Sequence, residues 1–274
     1  MHFLLTNDDG IYAKGLHALY NELSKIAECT IVAPETEQSA VGHAITISRP
    51  LIVKQANKNG QFWGHSVAGT PADCVKLGIK ALTEKPVDLV VSGINLGANI
   101  GTNVIYSGTV SAATEGAILG VPSMAVSLNS HRRGSDFSFA AKFAARMALY
   151  MMERNPLRHI PLNINVPALP EEEIKGIVVT SQGSARLVES FERRVDPREN
   201  VYYWLAGETQ IEVTDKESDG TALKRGMITI TPIHYDLTRY DILEDLDKNI
   251  QKVFQPETEE MKTKLVHSFN PKIN

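Results

Sequence analysis

Cysteine is nearly missing from this chain of 274 residues: Cys29 and Cys74 stand far apart, with no spacing that suits a metal. Secreted disulfide scaffolds use many more, so the two read as buried thiols in a reducing compartment. Long apolar runs are also lacking. The N-terminal one is too short for a signal peptide, has no basic leader and runs into carboxylates. The most apolar later stretch, residues 140–152, is interrupted by Lys142 and Arg146, as in an amphipathic helix. The expectation is a cytoplasmic protein with no membrane partner. Nor is there an excess of basic charge. A net charge of -4 argues against a nucleic-acid duplex as partner, because that binding needs a concentrated basic surface. A small anionic substrate would need a local cation.

Three motifs are absent as well. No Gly-x-x-x-x-Gly-Lys-Ser/Thr exists, no Gly-x-Gly-x-x-Gly follows a strand, and Gly-x-Ser-x-Gly is missing. P-loop, dinucleotide-binding and nucleophile-elbow readings therefore drop out.

What is present is ordinary globular material, 43% hydrophobic and 22% charged, enough for a sizeable core. Residues 3–6 read as a buried strand. Leu16, Leu19, Leu23 and Ile26 recur at helical spacing over 15–27, and a second strand spans 29–33. Residues 51–55 and 62–67 flank the turn Asn57-Lys58-Asn59-Gly60 and read as a hairpin outside the parallel sheet. Thr70-Pro71-Ala72-Asp73 starts a helix that runs to about Leu82, with Thr70 as cap, Pro71 in the first turn and Asp73 at the positive end. Strands at 87–91, 123–128 and 162–166, with helices from 110 and over 137–154, continue the alternation expected of an α/β protein with a mainly parallel sheet. After Ser184 the pattern changes to a charged segment (186–198) and short strands at 201–205, 211–213 and 227–232, which look like hairpins that pack on another subunit. The tail around 257–260 reads as a solvated end. The chain thus divides into a core, 1–185, and a remainder, 186–274, holding an arm, a late core strand and a C-terminal tail.

The most informative stretch is Asn7-Asp8-Asp9-Gly10, where the first strand ends in two adjacent carboxylates. Open α/β sheets bind ligands at this edge. Two anions about 4 Å apart repel by about 4 kcal/mol at an effective dielectric near 20, so either a proton is shared or a cation sits between them. Oxygen donors suit Mg²⁺ or Mn²⁺. The same residues also suit a turn and cap leading into the first helix, and both readings stand on these residues alone. Ser39 and Asn95 fall at neighbouring strand ends and complete an oxygen set with Asp8 and Asp9.

The Asn95–Gly101 loop and Ser107-Gly108-Thr109 before a small-residue helix suit a phosphate, since helix-start amides point at an anion. An ordinary Gly/Asn-rich loop with a capped helix fits equally. His43 and His65 are candidates for proton transfer or for packing. His131-Arg132-Arg133 suits either a distal part of the substrate or a solvated loop, and Glu115 reads as structural.

Taken together, Leu4-Leu5-Thr6-Asn7-Asp8-Asp9-Gly10, Ala33-Pro34 with Gln38-Ser39, Gly69-Thr70-Pro71-Ala72-Asp73, Ser92-Gly93-Ile94-Asn95-Leu96-Gly97 with Asn99 and Gly101, and Tyr106-Ser107-Gly108-Thr109-Val110-Ser111-Ala112-Ala113 resemble the SurE family of survival proteins, metal-dependent nucleoside monophosphate phosphatases. Asn165-Val166-Pro167 and Gly226-Met227-Ile228-Thr229-Ile230-Thr231-Pro232 extend the likeness. The resemblance implies one divalent cation per subunit, Mg²⁺ or Mn²⁺, on Asp8, Asp9, Ser39 and Asn95, with the substrate phosphate beside Asn99, Ser107, Gly108 and Thr109. It further implies a Rossmann-like three-layer αβα core, a protruding hairpin arm, and C-terminal elements swapped between subunits in homodimers or homotetramers. The implied reaction is hydrolysis of nucleoside 5′- and 3′-monophosphates, with polyphosphate as a further substrate, and Asp8 or Asp9 handling the water.

Two rivals fail on particular residues. Haloacid-dehalogenase phosphatases need Asp-x-Asp after strand one, but position 7 is Asn. A signalling receiver needs an acceptor Asp at the end of its central strand, whereas Asp88 begins that strand.

Overall fold

A computed structural model describes residues 1–153, 160–210 and 218–253. It divides into two compact units, Met1–Tyr235 and Asp236–Asn274. In the first, the order is β1 (His2–Thr6), α1 (Lys14–Leu23), β2 (Glu28–Pro34), β3 (Val53–Lys58), β4 (Gln61–Val67), α2 (Pro71–Leu77), β5 (Leu89–Leu96), α3 (Gly108–Ile118), β6 (Ser123–Asn129), α4 (Ser138–Glu153), β7 (Leu162–Pro167), β8 (Ile177–Val179), β9 (Arg186–Val195), β10 (Val201–Gln210), α5 (Asp219–Lys224) and β11 (Ile228–Pro232). The second unit carries a 3-10 turn, Tyr240–Ile242, and α6 (Leu243–Val253), in which Leu243, Leu246, Ile250 and Val253 recur at helical spacing.

Nine strands form one sheet in the order β3-β4-β2-β1-β5-β6-β7-β11-β8. Every pair from β4 through β7 is parallel; β3 with β4 and β11 with β7 are antiparallel. Side chains of β1 alternate between two helical layers. Leu4 joins Val32 and Val90 against α2 and α3, while Phe3 and Leu5 join Ile31, Leu89 and Val91 against α1 and α4. Burial on both faces explains why these strands lack polar alternation. The result is a three-layer α/β unit whose strand order reverses between β1 and β5, opening a crevice at their C-terminal ends.

The hairpin of β3 and β4 is not outside the parallel sheet. β4 lies parallel to β2, with Val32 opposite His65. Gly64 permits this, since a Cβ there would come 2.7 Å from the Ile31 side chain and carbonyl. β5 also runs further than its apolar run, through Ser92 and a cis Gly93–Ile94 peptide to Leu96. α2 has the expected capping box: Thr70 accepts from the Asp73 amide and Asp73 from the Thr70 amide. It ends at Leu77, and a wider π-type turn, Gly78–Leu82, completes the segment. β8 was not expected as a strand, and the segment read only as charged, 186–198, supplies β9 of the expected hairpin arm. β9 and β10 pair antiparallel over ten residues each, from Val201 opposite Val195 to Gln210 opposite Arg186. Residues 211–213 and 257–260, expected as a strand and a solvated tail, lie outside the described residues.

Candidate active site

Asp8 lies two residues after the end of β1 and is almost fully buried, 6% exposed. Its carboxylate accepts from the Thr109 hydroxyl at 2.5 Å and from the Thr109 amide. The N-terminus of α3 therefore rests on it. Gly108 makes this approach possible, because a Cβ there would lie 2.8 Å from the Asp8 Cβ. Ser107 caps α3 by accepting from the Val110 amide at 3.1 Å. Asp9 is half-buried and accepts from the Leu96 amide at the end of β5.

Burial raises the pKa of Asp8 even though the Thr109 bonds oppose the shift. Burial, then the charges of Asp8 and Glu37, push Asp9 up to about 7. Two adjacent carboxylates that resist ionisation form a place where a cation lowers the energy of both. The other two members of the expected set come from separate strand ends. Ser39 is exposed on the loop after β2, where its hydroxyl donates to Glu37 at 2.6 Å. That loop is tied to the first strand by the Gln38 amide, which donates to the Asp8 carbonyl at 2.7 Å. Asn95, half-buried, spends its amide nitrogen on the Gly97 carbonyl at 2.8 Å, which leaves its side-chain oxygen as the acceptor facing other partners. Two carboxylates, a hydroxyl and an amide oxygen are all hard donors, so the residues present fit Mg²⁺ or Mn²⁺.

Asp8, Ser39, Asn95, Asn99 and Ser107 share one cleft of about 480 Å³, together with Tyr106 and Leu205 of β10. Asp9, Gly108 and Thr109 do not line it; the latter two stand behind Asp8. A wider depression of about 880 Å³, between the loops that follow β6 and β7, contains none of these residues.

Several contributors were missed in the sequence. Asn99 is fixed by Asn165, which accepts from its amide at 2.8 Å, and by Asn163 and Asn165, which both donate to its carbonyl. Its side-chain nitrogen donates to Ser127 at 2.9 Å. The signal was there: Asn163 and Asn165 alternate onto one face of an otherwise apolar strand. Asp219 is buried and accepts from the amides of Gly101, Gly183 and Gly220, holding the segment after Asn99. His43 and Glu115 bond each other at 2.9 Å, His65 packs on Phe62, and His131 lies beside Gly97.

A model of the family described as survival protein SurE matches residues 3–189. The chain belongs to the SurE family. It is 66% identical over 253 residues to the 5′-nucleotidase SurE of Syntrophus aciditrophicus (strain SB), covering 92% of this chain and 95% of that protein. Against the 5′-nucleotidase SurE of Syntrophobacter fumaroxidans (strain DSM 10017 / MPOB) the identity is 52% over 248 residues, covering 90% and 99%. The crystal structure of the SurE protein from Aquifex aeolicus superimposes with a TM-score of 0.78 at 38% identity, covering 90% of this chain and 99% of that one. The αβα core expected from the resemblance is thus the fold of the family. No helix among the described residues is long and apolar enough to cross a membrane.

Proposed function

We propose that this chain is a divalent-metal-dependent 5′-nucleotidase that hydrolyses nucleoside monophosphates to nucleoside and phosphate. The observation that carries the reading is the adjacent pair Asp8, buried, and Asp9, half-buried, at the strand-order reversal, with both carboxyls held above the usual range. The names of relatives up to 66% identical support it.

Asp8, Asp9, Ser39 and Asn95 would hold one Mg²⁺ or Mn²⁺ per subunit. When bound, such a cation polarises a phosphoryl oxygen and lowers the pKa of bound water. The two carboxylates divide the remaining work. Asp8, already engaged by Thr109, is the fixed anchor. Asp9 is the less buried of the two, so it takes the role of orienting the attacking water and receiving its proton at a carboxylate oxygen. Asn99 and Ser107, which line the cleft, would steady charge on the equatorial phosphate oxygens, with the Gly108 and Thr109 end of α3 supporting them from behind Asp8. Tyr106 and Leu205 would face the nucleoside.

The same centre would accept 3′-monophosphates and polyphosphate. Residues 1–185 would carry the catalysis, and 186–274 the arm, a late core strand and the exchanged C-terminal elements of a cytoplasmic homodimer or homotetramer. The apolar stripe of α6 supports that exchange. Phosphate release from AMP, 3′-AMP and polyphosphate with Mg²⁺, Mn²⁺ or chelator tests the activity. Release from AMP that is restored by metal after chelation is expected. No metal-dependent release from any monophosphate would overturn the proposal. Light scattering of the eluting protein reads the oligomer.

A further inference from the structure

Glu115 lies in the middle of α3 with its side chain 4% exposed, yet it has no role within its own helix. A carboxylate in such a place is costly unless other elements satisfy it. Two do. Lys76 of α2 donates to Oε1, and the imidazole of His43, from the loop after β2, bonds Oε2 at 2.9 Å. That loop has no regular structure between β2 and β3, and it carries Ser39 four residues before His43. Its neighbouring ties are the Gly42 amide on the Tyr106 carbonyl, the Thr70 hydroxyl on the Ala44 carbonyl, and Thr46 on Asp73. Thr70 and Asp73 also have a local task in capping α2, whereas Glu115 has none.

Helix α3 already holds Asp8 through Thr109 at its first turn. Glu115 follows Gly108 by seven residues, about 10 Å along the helix axis. The same rigid element therefore meets one expected metal ligand at its start and the loop bearing another at its middle.

We infer that Glu115 is a positioning residue for the metal centre: acting through His43, it sets the Ser39 loop in register with Asp8 and so tunes affinity for the divalent cation. The inference rests on the assignment of the cation to Asp8, Asp9, Ser39 and Asn95. Outer partners of metal ligands typically change affinity by about 10- to 100-fold when removed.

The test is direct Mn²⁺ binding by electron paramagnetic resonance on the full chain, with thermal melting of each variant alongside. His43→Ala, at an exposed loop position, is expected to weaken Mn²⁺ binding about tenfold, with kcat at saturating Mn²⁺ within about twofold of the parent. Glu115→Ala should do the same, and the double variant should be no worse than either single one. His43→Gln, which retains a side-chain N–H for Glu115, should recover most of the loss. Lys76→Met removes the other partner of Glu115 without touching the loop and should leave Mn²⁺ affinity unchanged. Unaltered binding in His43→Ala would overturn the inference, as would equal losses in His43→Ala and Lys76→Met, which would mark a general effect on packing. Should Glu115→Ala fail to fold, the three variants at positions 43 and 76 still decide. Asp9→Asn separates the two layers of argument: Mn²⁺ binding that survives it removes the site assignment itself, whereas binding that is lost there but kept in His43→Ala removes only the positioning role.

Discussion

The two flanks of the cleft are built in opposite ways. On one side Asp8 is buried, bonded by a hydroxyl and an amide, and pressed against the start of a helix. On the other, Ser39 is exposed on an irregular loop, and its position is inherited from bonds made by its neighbours. The first flank gains its precision from packing, the second from a few polar ties. The contrast teaches that two walls of one cleft can differ widely in how much change around them they tolerate.

The strongest way to break that contrast is at the carboxylates. Asp9→Asn should lower kcat/KM for AMP by at least about 10³-fold, the scale seen when one preorganised group is removed from a transition state. Steady-state kinetics across a Mn²⁺ series checks it, and a variant retaining full activity and metal affinity would misplace the centre. Next comes the packed flank. Gly108→Ala inserts a Cβ 2.8 Å from the Asp8 Cβ and 3.1 Å from Oδ2, so Asp8 must shift. A loss of about 10- to 100-fold in Mn²⁺ affinity is expected by calorimetry. Ser39→Ala, on the exposed flank, should cost less, about tenfold in the Mn²⁺ concentration needed for half activity, with kcat at saturation nearly kept. If Ser39→Ala proved worse than Gly108→Ala, the contrast between the flanks would be reversed.

The smallest effect concerns stability against pH. Burial alone would raise the pKa of Glu115, but the bonds from His43 and Lys76 outweigh it and hold the carboxyl below its ordinary value of 4.5. A folded pKa below the unfolded one gives stability that is present above about pH 4.5 and lost as pH falls through the lower folded value. The Tm gap between the parent and Glu115→Gln should therefore narrow between about pH 7 and pH 3.5. A gap that stays constant would show that these bonds add no stability.

Much of this was readable in the sequence because it is local. Apolar runs at β1, β5 and β6 marked strands buried on both faces, and Thr70-Pro71-Ala72-Asp73 carried its own helix start. The cleft could be assembled from strand ends because an α/β sheet brings them to one edge, and Asp8, Ser39, Asn95, Asn99 and Ser107 do line one cleft. What escaped depends on partners distant in the chain. The parallel pairing of β4 with β2 depends on a glycine facing Ile31 across the sheet, which no hairpin pattern reveals. The bond from the Thr109 hydroxyl to a carboxylate 101 residues earlier is a second such case. Glu115 read as structural without a named partner, because nothing in the sequence pairs it with a histidine 72 positions away.

Asp219 extends this reasoning to the order in which the protein is made. Gly101 has φ +54°, a Cβ there would strike the Ala185 carbonyl at 2.1 Å, its amide is held by Asp219, and its carbonyl is held by Gln182. The turn between Asn99 and Ser107 is therefore clasped by residues synthesised more than eighty positions later. While the chain is still being translated, β1 through β7 can pair, but one wall of the cleft lacks its clasp until Asp219 has left the ribosome. Catalytic competence would thus arrive late in synthesis, well after the core that carries the carboxylates has formed.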